Sequence, residues 1–252
     1  MKNLVIQYYI DINLYDNKNL LEYRETHNCI APNTVEKYSE HSFKKYCAKF
    51  GHDFIRITKP VFHYMHPTWE RFDLWFNPEW LDKYDQVLYV DTDVFALDHA
   101  PDIFAQYSDL SKFKSPAYTK YRDNPPHVIK SKFKNTILKN CNPKKTTDTF
   151  FQTGVWMLTK EARDKMLPWV ERYREFEGQC DDGQFLNWAV IESGVGYQDI
   201  DTKFNVKNNG LKKPLHYKDT FFLHSAGGEK YHRVSKIHQF LKKEFPEVNL
   251  AD

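Results

Sequence analysis

The sequence predicts an α/β fold built on a mostly parallel sheet, and three observations predict it. Residues 4–10 are an apolar run that reads as a buried strand, a capped amphipathic helix begins at Asn33, and residues 54–57 return to a strand pattern. Strand, helix, strand is the unit that opens a parallel sheet. At 252 residues the chain is long enough for one large domain. No linker or internal repeat divides it, so residues 1–252 are read as a single domain.

Each element has a local reason. Pro32 precedes the first helix, Asn33 caps it, and Glu36 completes a capping box. Its apolar positions Val35, Tyr38, Phe43, Tyr46, Cys47 and Phe50 share one face, and Gly51 ends it. Residues 68–80 read as helical and aromatic, and they lead into QVLYV at residues 86–90. That unbroken apolar run fits a central strand buried on both faces. Residues 112–149 contain Pro116, Pro125, Pro126, Pro143 and many lysines, and read as an irregular excursion rather than a domain boundary. A buried strand at 155–158 follows, then helical periodicity over 160–176 with a break or kink expected at Pro168. A late strand is expected at 221–224 and a terminal helix at 234–245, within a helical tail over 231–252.

Composition narrows the function. The chain is 41% hydrophobic, 28% charged and 16% aromatic, which supplies a core and excludes a disordered or low-complexity polypeptide. Most of the rings are expected in the core. A net charge of +2 and the absence of a nucleic-acid motif argue against a nucleic-acid partner. Four cysteines with no C-x-x-C pair suggest reduced thiols in a cytoplasmic setting. No stretch approaches the ~18 apolar residues of a membrane span, and no signal peptide is recognisable. Lysines clustered over 112–145 and 203–243 leave peripheral contact with a membrane open.

The chemistry points to Asp91-Thr92-Asp93, directly after VLYV. Open α/β sheets place ligands at the carboxyl ends of their strands. Two carboxylates one residue apart there can turn toward one hard divalent cation, Mg²⁺ or Mn²⁺, that keeps positions free for phosphate oxygens.

Four segments resemble the glycosyltransferases of the GT-A fold, in particular family 8, the glycogenin-like and lipopolysaccharide galactosyltransferase-like enzymes. DQVLYVDTDVFAL is similar to their Asp-x-Asp region and FFQTGVWML (150–158) to their Asn-x-Gly-Val strand. DDGQFLN (181–187) is similar to Asp-Gln-x-x-Leu-Asn, and HSAGGEK (224–230) to His-x-x-Gly-x-x-Lys. The resemblance spans residues 4–230. It implies a Rossmann-like GT-A fold, a mixed but mostly parallel central sheet flanked by helices. It also implies a Mn²⁺- or Mg²⁺-dependent hexosyltransferase with a nucleotide-sugar donor, UDP-sugar by preference, and a hydroxyl-bearing glycan acceptor.

Carried over by position, Asp91, Asp93 and His224 are the metal ligands, and Thr92, Gly227, Lys230 and Arg71 bind the donor. Lys230 meets the diphosphate as a point charge. Asp182 lies beside the donor sugar, while Asn187 is either a site residue or structural. Gln7, Tyr8 and Tyr9 fall where the family binds the base, although a tyrosine there can equally be core. Gln152 and Gly183 depart from the usual Asn and Gln, and Tyr231-His232 replaces the common Pro-Trp. The retaining course is therefore set beside an inverting one, in which Asp181 or Asp182 is the base.

A haloacid-dehalogenase-type phosphatase also uses Asp-x-Asp, but near its N-terminus and with Thr or Val where Phe95 stands. A sugar-nucleotide nucleotidyltransferase calls for a Gly-rich basic loop that residues 7–19 lack. His63 and His66 have no companion that makes a zinc site.

Overall fold

The computed structural model describes residues 1–11, 14, 35–63, 66–117, 151–176, 180–207, 217–225 and 230–249, with only the backbone at 217 and 230–236. β1 (Asn3–Tyr8) is buried along its whole length, α1 (Val35–Phe50) follows, and β2 (Asp53–Ile57) pairs parallel with β1. Gly51 ends α1 at φ 73, a backbone region open to glycine. The Asn33 cap lies outside the described residues.

The expected helix over 68–80 is three short pieces: a 3₁₀ turn (Pro67–Phe72), α2 (Asp73–Phe76) and α3 (Glu79–Lys83). Pro67 and Pro78 each start a piece, and Pro78 interrupts the hydrogen-bond ladder between the second and third. β3 (Gln86–Val90) pairs parallel with β1 on the side opposite β2. After a two-residue turn comes β4 (Val94–Ala96), then α4 (Ile103–Gln106).

The excursion expected over 112–149 begins later than its composition suggests. Residues Lys112–Pro116 form β5, a strand of the main sheet, while 118–150 lie outside the described residues. β6 (Val155–Thr159) runs antiparallel between β3 and β5. α5 (Lys160–Val170) passes through Pro168 and yields only afterwards to a 3₁₀ turn (Glu171–Phe176), so the expected break falls two residues late. α6 (Asp182–Ser193) leads to β7 (Gly196–Ile200) at the sheet edge. The main sheet has the order β2-β1-β3-β6-β5-β7, with β6 alone running against the rest.

A 3₁₀ turn (Thr202–Asn205), β8 (Val206–Lys207), another turn (Tyr217–Asp219), β9 (Phe222–His224) and α7 (Lys230–Glu244) complete the described chain. β4, β9 and β8 make a second, small sheet. Alternation along the strands divides the core. Leu4, Ile6, Val87, Tyr89, Trp156 and Leu158 face α5 and α6, whereas Val5, Leu88, Val90, Val155 and Met157 face α1 and α4. Phe95 and Leu223 of the small sheet pack against Ile237, Leu241 and Phe245. Among the described residues no helix is long and apolar enough to cross a membrane.

Candidate active site

The site forms where the two sheets meet. β3 ends at Val90, and the next residue donates its backbone N–H to the Gly154 carbonyl at 2.8 Å, just before β6 begins. The Asp91-Thr92-Asp93 turn closes with the Val94 N–H on the Asp91 carbonyl at 3.1 Å and delivers the chain into β4. β4 pairs with β9 so that Val94 lies opposite His224, and the Ser225 N–H reaches the Asp93 carbonyl at 2.8 Å. Residues far apart in sequence are thereby fixed by backbone bonds around one point.

Asp91, Asp93 and His224 each offer a ligand atom, all within 4.8 Å of one another. His224 Nε2 is 3.2 Å from Asp93 Oδ1 and 3.8 Å from Asp91 Oδ2. The imidazole is buried while both carboxylates are partly open to solvent. Nδ1 of His224 sits 2.7 Å from Asn205 Oδ1, which leaves Nε2 to face the carboxylates. Two carboxylates and an imidazole could hold a divalent cation.

Packing enforces this convergence. A Cβ on Gly154 would lie 2.4 Å from His224 Cε1 and 2.8 Å from Asp91 Oδ2, so only glycine lets β6 start this close. The Tyr89 hydroxyl donates to Asp91 Oδ1 at 2.6 Å, holding one carboxylate oxygen. Burial, with Asp91 beside it, pushes the Tyr89 phenol well above its usual range and keeps it a donor.

Arg71 is buried behind the pair. It donates to the Thr153 carbonyl at 2.7 Å, pairs with Asp182, lies 3.8 Å from Asp91 Oδ1, and covers the Tyr89 ring at 5.2 Å. Its charge is therefore shared between two acidic residues of the site. Asp181 caps α6, its Oδ1 accepting the Gln184 N–H at 2.6 Å. Gly183, where the resembling motif has Gln, is hemmed in: a Cβ would meet Thr153 Oγ1 at 2.9 Å. Asn187 is structural, its amide bonding both backbone groups of Phe151 and the Gly183 carbonyl.

Two of the three residues named on the first strand turn into the fold. Gln7 is buried, donating to Ser39 Oγ at 2.8 Å and accepting from Arg56 Nη2 at 2.8 Å. The Tyr8 hydroxyl donates to Asp73 Oδ2 at 3.2 Å inside the core. Neither side chain is left over for a base. Tyr9 is the partly exposed member, with the Arg56 guanidinium 5.5 Å from its ring centre. Thr92 occupies the turn between the acidic pair, half-buried. Gly227 lies outside the described residues, and Lys230 is described only as the first backbone position of α7. Likewise His66 is spent capping the Pro67–Phe72 turn.

Sequence reasoning missed Tyr89, Gly154 as a spacer, and Asn205. Tyr89 was accessible, because residues two apart on a strand share a face. Asn205 had no local signal, since its partner is 19 positions away.

Solved structures share this fold. The chain is similar to a glycosyltransferase involved in the glycosylation of the major capsid of PBCV-1, at 12% identity and a TM-score of 0.58, covering 96% of this chain and 100% of that one. The fold is that of the GT-A glycosyltransferases. The apo structure of the bifunctional glycosyltransferase WbbM is similar at 12% identity and a TM-score of 0.50, over 96% of this chain and 51% of that one. No protein-family model matches the chain, and no curated protein sequence matches it. In this GT-A fold, Asp91 and Asp93 occupy the carboxyl end of the central strand β3, beside the one antiparallel strand.

Proposed function

We propose that this protein is a metal-dependent glycosyltransferase. In this reading it transfers a hexose from a nucleoside-diphosphate sugar, UDP-sugar by the sequence resemblance, to a hydroxyl of a glycan acceptor in glycan or surface-polysaccharide synthesis. The observation that carries it is the convergence of Asp91, Asp93 and His224 at the end of β3 within a GT-A fold. A divalent cation held there would neutralise the diphosphate and stabilise the charge that develops as the nucleoside diphosphate leaves.

The chain's own residues do the rest. Tyr9, directly after β1 and partly exposed, would meet the base. By the sequence resemblance Thr92, Gly227 and Lys230 would bind the diphosphate, Lys230 as a positive charge where negative charge grows. Asp182 stands beside the donor sugar, held in place by Arg71, which carries the counter-charge for the site. Asp181 is engaged as a helix cap and Asp182 as an ion-pair partner of Arg71, and the retaining course rests on the sequence resemblance. Among the described residues Cys47 and Cys180 are free thiols, each pushed up to about 12 by burial.

The reading is tested by donor turnover with a panel of UDP- and GDP-sugars. EDTA should abolish it and Mn²⁺ restore it. Asp93→Asn should lose activity with nearly unchanged unfolding in the absence of ligand, because a half-exposed carboxylate adds little to the fold. Full activity of Asp93→Asn in EDTA removes the proposal.

A further inference from the structure

Asn205 stands behind the histidine, away from the face that meets the carboxylates. It ends the 3₁₀ turn before β8, and β8 runs parallel to β9 with Lys207 opposite His224. Its side chain is 2% exposed. Oδ1 lies 2.7 Å from His224 Nδ1, and Nδ2 is buried with no hydrogen-bond partner. The histidine is thus the one polar contact of this buried amide among the described residues. Burying a carboxamide with half its capacity unmet is costly, so the contact it does make calls for a purpose.

Imidazole chemistry supplies one. A neutral ring carries one proton and one lone pair, and only the bare nitrogen can bind a cation. With an oxygen acceptor at Nδ1 the ring can keep its proton there and give the Nε2 lone pair to a cation that also meets Asp93 Oδ1 and Asp91 Oδ2, which lie 3.2 and 3.8 Å from Nε2. An N–H in the same place would force the proton onto Nε2 and close the ring to a cation. We propose that Asn205 is a positioning residue that fixes the tautomer and ring plane of His224 so that Nε2 faces the cation shared with Asp91 and Asp93. This rests on the metal reading above, and Asn205 acts through the histidine without touching donor or acceptor.

The test is Mn²⁺ affinity without sugar donor, followed through the free-ion electron paramagnetic resonance signal, for the wild type, Asn205→Asp and Asn205→Leu. Asp keeps an acceptor at the same place and should hold Mn²⁺ within about threefold of wild type. Leu fills the space with no acceptor and should weaken binding about 10- to 100-fold, the usual loss for an outer partner of a ligating histidine. Nitrogen chemical shifts of the His224 ring in the wild type loaded with diamagnetic Mg²⁺ should report a protonated Nδ1 and a deprotonated Nε2, a readout that mere structural support would not require. The inference is overturned if Leu binds as tightly as wild type, if Asp loses as much as Leu, or if the proton resides on Nε2. Should the Leu variant fail to fold, Asp and the ring shifts decide alone. A wild type that binds no Mn²⁺ removes the metal reading and this inference together, whereas a wild type that binds beside an indifferent Leu variant removes only the inference.

Discussion

Replacing Gly154 with alanine tests the site through a single methyl group. The added carbon would sit 2.4 Å from His224 Cε1, 3.0 Å from His224 Nδ1 and 2.8 Å from Asp91 Oδ2. Relaxed carbon contacts begin near 3.5 Å, so the ring must retreat by about 1 Å. The His224–Asn205 bond of 2.7 Å has little slack, and a shift of that size takes it past the ~3.2 Å hydrogen-bond limit. Metal ligands hold their distances to about 0.2 Å, so a cation bound on the proposed reading would lose a ligand or an aligned one. We expect Mn²⁺-dependent UDP binding to weaken about 100-fold and the metal-free protein to lose about 1–3 kcal/mol from overpacking. Thermal melting separates the two effects. With UDP and Mn²⁺ at 100 times the wild-type dissociation constant, the wild type gains about 2.7 kcal/mol and the variant only about 0.4. An equal gain in both proteins would refute the steric argument and the crowding on which it rests.

Two further predictions concern the frame around the site. Glu70 is buried and accepts the N–H groups of Val61, Phe62 and His63 at 2.7, 2.7 and 2.8 Å, pinning a loop in which His63 has φ 52. Glu70→Gln, which turns an N–H toward those donors, should cost about 2–4 kcal/mol in urea unfolding; a change under about 0.5 kcal/mol would show that the loop does not need the carboxylate. Lys114 is buried in β5, its Nζ donating to Gln86 Oε1 at 2.8 Å, and burial brings its ammonium down to about 8 from an ordinary 10.5. Between those values the unfolded chain binds the extra proton, so stability should rise with pH from about 8 to 10.5. Relative to Lys114→Met, the wild type should gain up to about 3 kcal/mol across that window; a flat difference would mean that the charge is not buried.

The readable parts of this fold were those where one physical effect dominated. β1, β3 and β6 are apolar runs buried throughout, and each was visible in sequence. β5 reads KFKSP and was taken for part of a loop, because its buried Lys114 answers to Gln86 on another strand and not to water. β7 is an edge strand, GYQDI, with only its last residue buried, so its pattern carried little contrast. The three candidate metal ligands were named from motifs, and the structure brings them together. Gln7 and Tyr8 looked available because sequence shows residue type and not direction. Their partners Ser39, Arg56 and Asp73 come from other elements. The same non-locality hid the Arg71–Asp182 pair and Asn205.

The junction between the two sheets also bears on the order in which the protein matures. All six strands of the main sheet lie at or before Ile200, so that sheet can close while the end of the chain is still being made. The third candidate ligand is His224, carried by the middle strand of the small sheet, and its partner Asn205 arrives only shortly before it. A nascent chain halted after Ile200 would hold the acidic pair but neither the imidazole nor the turn that orients it. Synthesis from the N-terminus at roughly 5–20 residues per second therefore completes the three-residue cluster only at the end of assembly. On the proposed reading, chains trimmed before His224 would keep the acidic pair but lose the capacity to hold a cation.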